Sequence, residues 1–108
     1  MTVKVTVDRP LGCRHPKYPD MTYPLNYGYI EGIIGGDGEE QDAYILGIDT
    51  PLEEFEGEVI AVIHRKNDVE DKWVVAEKGK KFTKEEIVAA THFQEQYFDS
   101  EVKMIKEL

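Results

Sequence analysis

Cysteine occurs once, at Cys13, so the chain can close no disulfide on itself, and a lone thiol is the usage of a reducing compartment. Long apolar runs are also missing. The longest, residues 59–63 (VIAVI), falls far short of the roughly 20 residues a membrane-crossing helix needs. The first ten residues alternate in polarity where a secretory leader would show an unbroken apolar stretch. Bases are outnumbered, 13 Lys and Arg against 22 Asp and Glu, for a net charge of −9. An acidic chain is a poor match for nucleic acid or an anionic membrane, both of which select a basic face. The expectation is therefore a cytoplasmic protein with neither as partner. A phosphate-containing ligand stays within reach if a cation accompanies it. What is present in quantity is ordinary: 41% hydrophobic and 32% charged residues over 108 positions, one globular domain spanning 1–108.

Val3, Val5 and Val7 alternate with Thr2, Lys4 and Thr6, the period of a half-buried strand over residues 2–8. Pro10, Pro16, Pro19 and Pro24, with Gly12, make a helix implausible over residues 10–24. Residues 26–34 read as extended, 35–42 (GGDGEEQD) as a turn, and 43–48 as a short buried strand that Asp49-Thr50-Pro51 breaks. Residues 59–64 and 72–76 form a hairpin pattern around the polar turn RKNDVED. Thr83 and Glu86 spell a capping box that opens the one good helix. Ile87, Ala90, Phe93 and Tyr97 share a helical face, and His92 lies on the opposite, solvent side. Asp99-Ser100 ends the helix, and residues 101–108 suit either a strand or a helical edge. Several short strands and one late helix predict a mostly β (α+β) domain, a small barrel with an amphipathic C-terminal helix.

Asp37, Glu39 and Asp42 crowd one turn, and Asp68, Glu70 and Asp71 crowd another. Neighbouring carboxylates repel and favour protonation or a bound cation, and hard oxygen donors suit Mg²⁺, Mn²⁺ or Ca²⁺. On spacing alone a solvated acidic turn is the commoner outcome for either segment. The first is neither an EF-hand nor a P-loop, since it lacks the distant glutamate of one and the lysine of the other. Tyr23, Tyr27 and Tyr29 fall within YPLNYGYI, where any single tyrosine is more often core than site. Cys13 sits beside Arg14 and His15, which favours a thiolate, although a plain thiol is the simpler expectation.

Taken together, VTVDRPLGCRHPKY, YPLNYGYI, DGEEQDA, DVEDKWVVA and HFQEQYF occur in an order that resembles the family I soluble inorganic pyrophosphatases. The resemblance covers most of the chain, and NYGYI with its distance to the acidic turn is its most specific part. It implies an OB-like β-barrel and Mg²⁺-dependent hydrolysis of pyrophosphate, with Mn²⁺ as the other metal to consider. It implies that Asp37, Glu39, Asp42, Asp68, Glu70 and Asp71 contribute the metal site, with Asp68 and either Glu70 or Asp71 standing for the second turn's two aspartates. Tyr27, Glu39, Asp42 and Lys72 take the catalytic positions, and Lys17, Lys72 and Tyr97 the phosphate-binding ones. Arg14, or Arg9, is assigned by its nearness to Lys17 to the place of a family arginine whose hairpin is missing between Tyr18 and Tyr23. The family also forms oligomers, which makes a homo-oligomer an expectation.

The chain departs from the pattern at Glu39, where the family has its aspartate general base, and at Pro19 and Phe98, where it has glutamate and lysine. One added methylene at Glu39 displaces a carboxylate on the order of 1 Å, enough to cost roughly 10²-fold in rate. A module of the same fold that binds metal and a phosphate ligand without turnover is the alternative reading. An acidic domain that serves a protein partner is the third.

Overall fold

The computed structural model describes residues 1–105, and the last three of the tail read as strand or helical edge lie outside them. Six strands and one helix follow in the order β1 (Thr2–Arg9), β2 (Asn26–Ile34), β3 (Glu40–Ile45), β4 (Glu54–Arg65), β5 (Asp71–Ala76), α1 (Lys84–Glu95) and β6 (Ser100–Met104). The sheet runs β1-β2-β3-β5-β4-β6, and β1 also pairs with β4, which closes five strands into a barrel. β4 manages both neighbours because it is long. Its first half pairs with β1 from Thr2↔Glu58 to Thr6↔Glu54, and its second half with β6 from Ala61↔Met104 to Arg65↔Ser100. All pairings are antiparallel except β3 with β5.

The expected β1, β2 and β4–β5 hairpin are present, and Thr83 caps α1 with both bonds of the capping box made. Three boundaries moved. β3 begins at Glu40, ahead of the expected 43, because Asp42 pairs with Tyr29 and Gln41 with Ile30 across the β2 ladder. Leu46 and Ile48 fall beyond the strand, where Gly47 turns at φ +85° against the ring of Phe82. The acidic stretch after Pro51 is the start of β4, with Phe55, Gly57 and Val59 alternating inward. The ambiguous tail is strand β6, with Val102 buried.

Two apolar clusters share the strands by side-chain alternation. Val5, Ile30, Ala43, Ile45, Val59 and Val75 pack together, and Tyr44, Leu46, Ala61, Ile63 and Val74 pack with Ile87 of α1 and Val102 of β6. The second cluster explains why β3 is buried on both faces, as a strand next to a parallel partner usually is. The helix buries a more polar face than its periodicity suggested. Ile87, Thr91, Gln94 and Glu95 are buried, whereas Tyr97 lies past the last helical residue and is 66% exposed. His92 is exposed, as expected. Gly28 marks the closest strand approach, since a Cβ there would sit 1.9 Å from the Thr6 carbonyl oxygen.

Candidate functional site

The parallel register of β3 and β5 puts the starts of both strands at one end of the barrel. The two acidic turns that lead into them therefore lie side by side. Gly36 packs so closely on the second turn that an added Cβ would stand 2.1 Å from the Val69 carbonyl oxygen. Gln41 ties them from below, its Nε2 donating to the Asp71 carbonyl at 2.7 Å and to that of Asp42 at 3.0 Å. Within the first turn the Glu39 N–H donates to Asp37 Oδ1 at 3.0 Å.

Lys72 stands at the centre. Its side chain is 4% exposed, and its ammonium spends one donor on each of three oxygens: Asp42 Oδ2 at 2.5 Å, Tyr27 Oη at 3.0 Å and Glu70 Oε2 at 3.2 Å. A buried ammonium is tolerable only when so matched. Burial first, and then the Asp42 carboxylate, hold the Tyr27 phenol well above its ordinary value, so it keeps its proton. Glu70 meets Asp37 carboxyl to carboxyl. Hydrogen bonding to that neighbour, then burial, pushes Glu70 up, and accepting from Glu70 and then from the Glu39 N–H pulls Asp37 down.

Behind Glu70 lies a second buried cation. Arg65 donates through Nε to Glu95 Oε1 at 3.0 Å and through Nη2 to Glu95 Oε2 at 2.6 Å. Its Nη1 faces Glu70 Oε2 at 3.4 Å and Asp68 Oδ2 at 3.8 Å, and the Phe98 ring lies 3.6 Å from its Cζ. Burial works against the Arg65 charge, but Glu95 outweighs it and holds the guanidinium above its ordinary value. Glu95 is raised by burial but lowered further by Arg65, Tyr44 and Ser100, for a net value below the usual carboxylate range. The Tyr44 hydroxyl donates to Glu95 at 2.6 Å and accepts from Gln94 Nε2 at 2.8 Å, and Tyr23 donates to Gln94 at 3.2 Å. This network ties the helix end to the barrel wall. A cavity of about 280 Å³ opens in front of it, with His15, Lys17, Tyr18, Arg65, Lys72 and Tyr97 in its wall.

The structure thus gathers Tyr27, Asp37, Asp42, Glu70 and Lys72 in one cluster, and brings Lys17 and Tyr97 to the adjoining cavity. Others fall outside it. Glu39 is exposed, and its carboxylate joins none of the cluster's bonds among the described residues. Asp68 leans toward Arg65 and accepts from the Val69 N–H at 2.7 Å. Asp71 points to the other face of β5 from Lys72, as strand alternation requires, and meets His64 Nδ1 at 2.7 Å. Arg14 is exposed in a bridge to Thr22 that shortens this segment into a tight loop, away from the cavity wall. Arg9 donates to the Asp8 carbonyl at 3.2 Å and is absent from the cavity wall. Burial, set against Arg9, leaves the Cys13 thiol raised, the reverse of an activated thiolate. Among the described residues, no group of three or more His, Cys, Asp or Glu side chains is arranged to hold a metal ion. Sequence reasoning missed Arg65 and Glu95. The signal was there: Arg65 continues the inward alternation of Val59, Ala61 and Ile63, and Glu95 lies eight residues after Ile87 on its helical face.

A closed five-stranded barrel with this helix is the fold of the inorganic pyrophosphatases. Over 96% of this chain and 86% of the other it superposes on the enzyme from Ehrlichia chaffeensis with a TM-score of 0.73 at 17% identity. The match to the inorganic pyrophosphatase of Coxiella burnetii has a TM-score of 0.68 at 14% identity, covering 95% and 83% of the two chains. Sequence agrees: the inorganic pyrophosphatase of Corynebacterium glutamicum is 34% identical over 61 residues, covering 43% of this chain. That match spans only 39% of the relative's length, and a shortened form of the pyrophosphatase fold fits all three findings. No family model matches the chain. No helix among the described residues is long and apolar enough to cross a membrane.

Proposed function

We propose that the chain is a phosphoanhydride hydrolase acting on inorganic pyrophosphate with Mg²⁺, or Mn²⁺ in its place. The observation that carries the reading is the convergence of Tyr27, Asp42 and Glu70 on the buried Lys72, on a pyrophosphatase fold, beside a cavity with further cations. The donor set suits a hard divalent ion: Asp37 and Glu70 are neighbouring carboxyl groups whose mutual repulsion a cation would relieve, and Asp42 is close by through Lys72. Asp37 and Glu70 would hold it, and Asp42 would join them only by turning from Lys72. A bound Mg²⁺ supplies positive charge against phosphoryl oxygens and makes water more acidic.

The remaining work falls to the chain's own side chains. Lys72 exchanges its longest bond, to Glu70, for a substrate oxygen while Asp42 keeps it oriented. Tyr27, kept protonated, remains a hydroxyl donor at the reacting phosphorus. Lys17 and Tyr97 flank the departing phosphate in the cavity. With Mg²⁺ present, phosphate release from pyrophosphate should fall at least about 10²-fold in Asp42→Asn, since it frees Lys72 from its partner. Release unaffected by that change, or by chelation, would sink the reading.

A second reading has its own support. Glu39 holds the general-base position of the resemblance, yet stands exposed outside the cluster. On that reading the chain binds metal and a phosphate ligand without turnover. Calorimetry that finds Mg²⁺-linked pyrophosphate binding with no phosphate released favours it. The cytoplasm and a homo-oligomer complete the proposal, the second checked by sedimentation.

A further inference from the structure

We infer that Arg65 is a substrate-contacting residue that grips a phosphate group through its Nη1 edge, beside Lys72 in the cavity at the helix end. The inference rests on the phosphate-ligand reading above and adds a residue to it. A guanidinium presents a rigid fork of donors, and each edge of this one has a distinct fate. The Nε and Nη2 edge is fully spent on a bidentate pair with Glu95, at 3.0 and 2.6 Å. One face of the guanidinium is covered by the Phe98 ring, 3.6 Å from Cζ to its centroid. The Nη1 edge holds only the longest of the bonds, a hydrogen bond to Glu70 Oε2 at 3.4 Å and an ion pair with Asp68 Oδ2 at 3.8 Å, so it is the edge most readily yielded to a stronger acceptor.

The group cannot turn elsewhere, because Glu95 is itself fixed by Tyr44 at 2.6 Å and Ser100 at 2.7 Å. An arginine anchored on one edge by a bidentate carboxylate, held more loosely on the other and lining a cavity is a preorganised anion holder. The same wall carries Lys72 and Lys17, so three cations face one space on a molecule whose net charge is −9. The planar edge beside an ammonium suits the oxygens of a phosphate better than a lone carboxylate. Arg65 thereby takes the part that proximity in sequence assigned to Arg14, which is exposed and outside the cavity wall.

The test uses inorganic phosphate and pyrophosphate as probes, by calorimetry and by steady-state hydrolysis with Mg²⁺, on the whole chain. Arg65→Lys keeps the charge and loses the fork. The pair Arg65→Gln with Glu95→Gln removes the fork without stranding a buried carboxylate, and covers the case in which the single variant fails to fold. Lys103→Met, on exposed β6, controls for net charge. Expected are a loss of about tenfold or more in phosphate affinity for folded Arg65→Lys and for the pair, with KM rising more than kcat falls, and no change for Lys103→Met. Affinity within twofold of the parent in a folded Arg65 variant overturns the inference, even if hydrolysis proceeds. Arg65-dependent binding without any hydrolysis upholds it while the turnover reading falls. A parent chain that binds neither probe overturns both.

Discussion

Gly36 carries more of the site than its lack of a side chain suggests. The space for its Cβ is already taken by the Val69 carbonyl at 2.1 Å, so Gly36→Ala must push the two acidic turns apart. Displacement of about 1 Å between reacting groups costs on the order of 10²-fold in rate. We predict that loss in phosphate release with a melting temperature little changed, because Gly36 sits on an exposed turn. Glu95 makes the opposite case. Glu95→Gln leaves the Arg65 charge buried and half-paired, and breaking such a pair costs roughly 3–5 kcal/mol. Its pH signature follows from its lowered value in the fold. The unfolded carboxyl takes up a proton first as pH falls, so the stabilisation is complete above the ordinary glutamate range and drains away below it. Thermal melts between pH 6 and about 3 should decline for the parent chain more steeply than for Glu95→Gln.

At the scale of elements, α1 is held at its start by the Thr83–Glu86 box and at its end by the Gln94 and Glu95 bonds to Tyr44. Thr83→Ala should cost about 1 kcal/mol in denaturant unfolding, with hydrolysis unchanged while the domain stays folded. Most elements were legible because their polarity is periodic. Val3 and Val5, the 59–63 run and the capping box each declare themselves within ten residues. The boundary of β3 was not, because Gln41 and Asp42 are poor strand residues that only the β2 ladder and the Gln41 bonds hold extended. The cluster on Lys72 was legible only through resemblance to a known family. Nothing local to Tyr27 or Asp42 records that they lie within reach of one ammonium 45 and 30 positions away. Arg65 and Glu95 were overlooked for a related reason: charged residues at inward positions are read as breaks in a pattern until a partner is seen.

For the molecule as a whole, barrel closure joins distant segments, with β1 against β4 and β3 against β5. A domain of this size with one connected sheet should unfold in a single transition. Trp73, the sole tryptophan, sits on β5 beside Lys72 and reports on it directly. Its fluorescence change in urea and the loss of pyrophosphate binding should share one midpoint. A separate, earlier loss of binding would mean that the turns part while the barrel survives.

The parallel alignment of β3 and β5 has a temporal corollary. During synthesis the first turn emerges with Asp37 and Asp42 long before Glu70 and Lys72 exist, and no hairpin between neighbours can unite them. A ribosome-held chain ending at Ile63 should therefore be inert toward phosphate, and competence should arrive abruptly once β5 and the α1 end that carries Glu95 and Tyr97 have left the exit tunnel and slotted in.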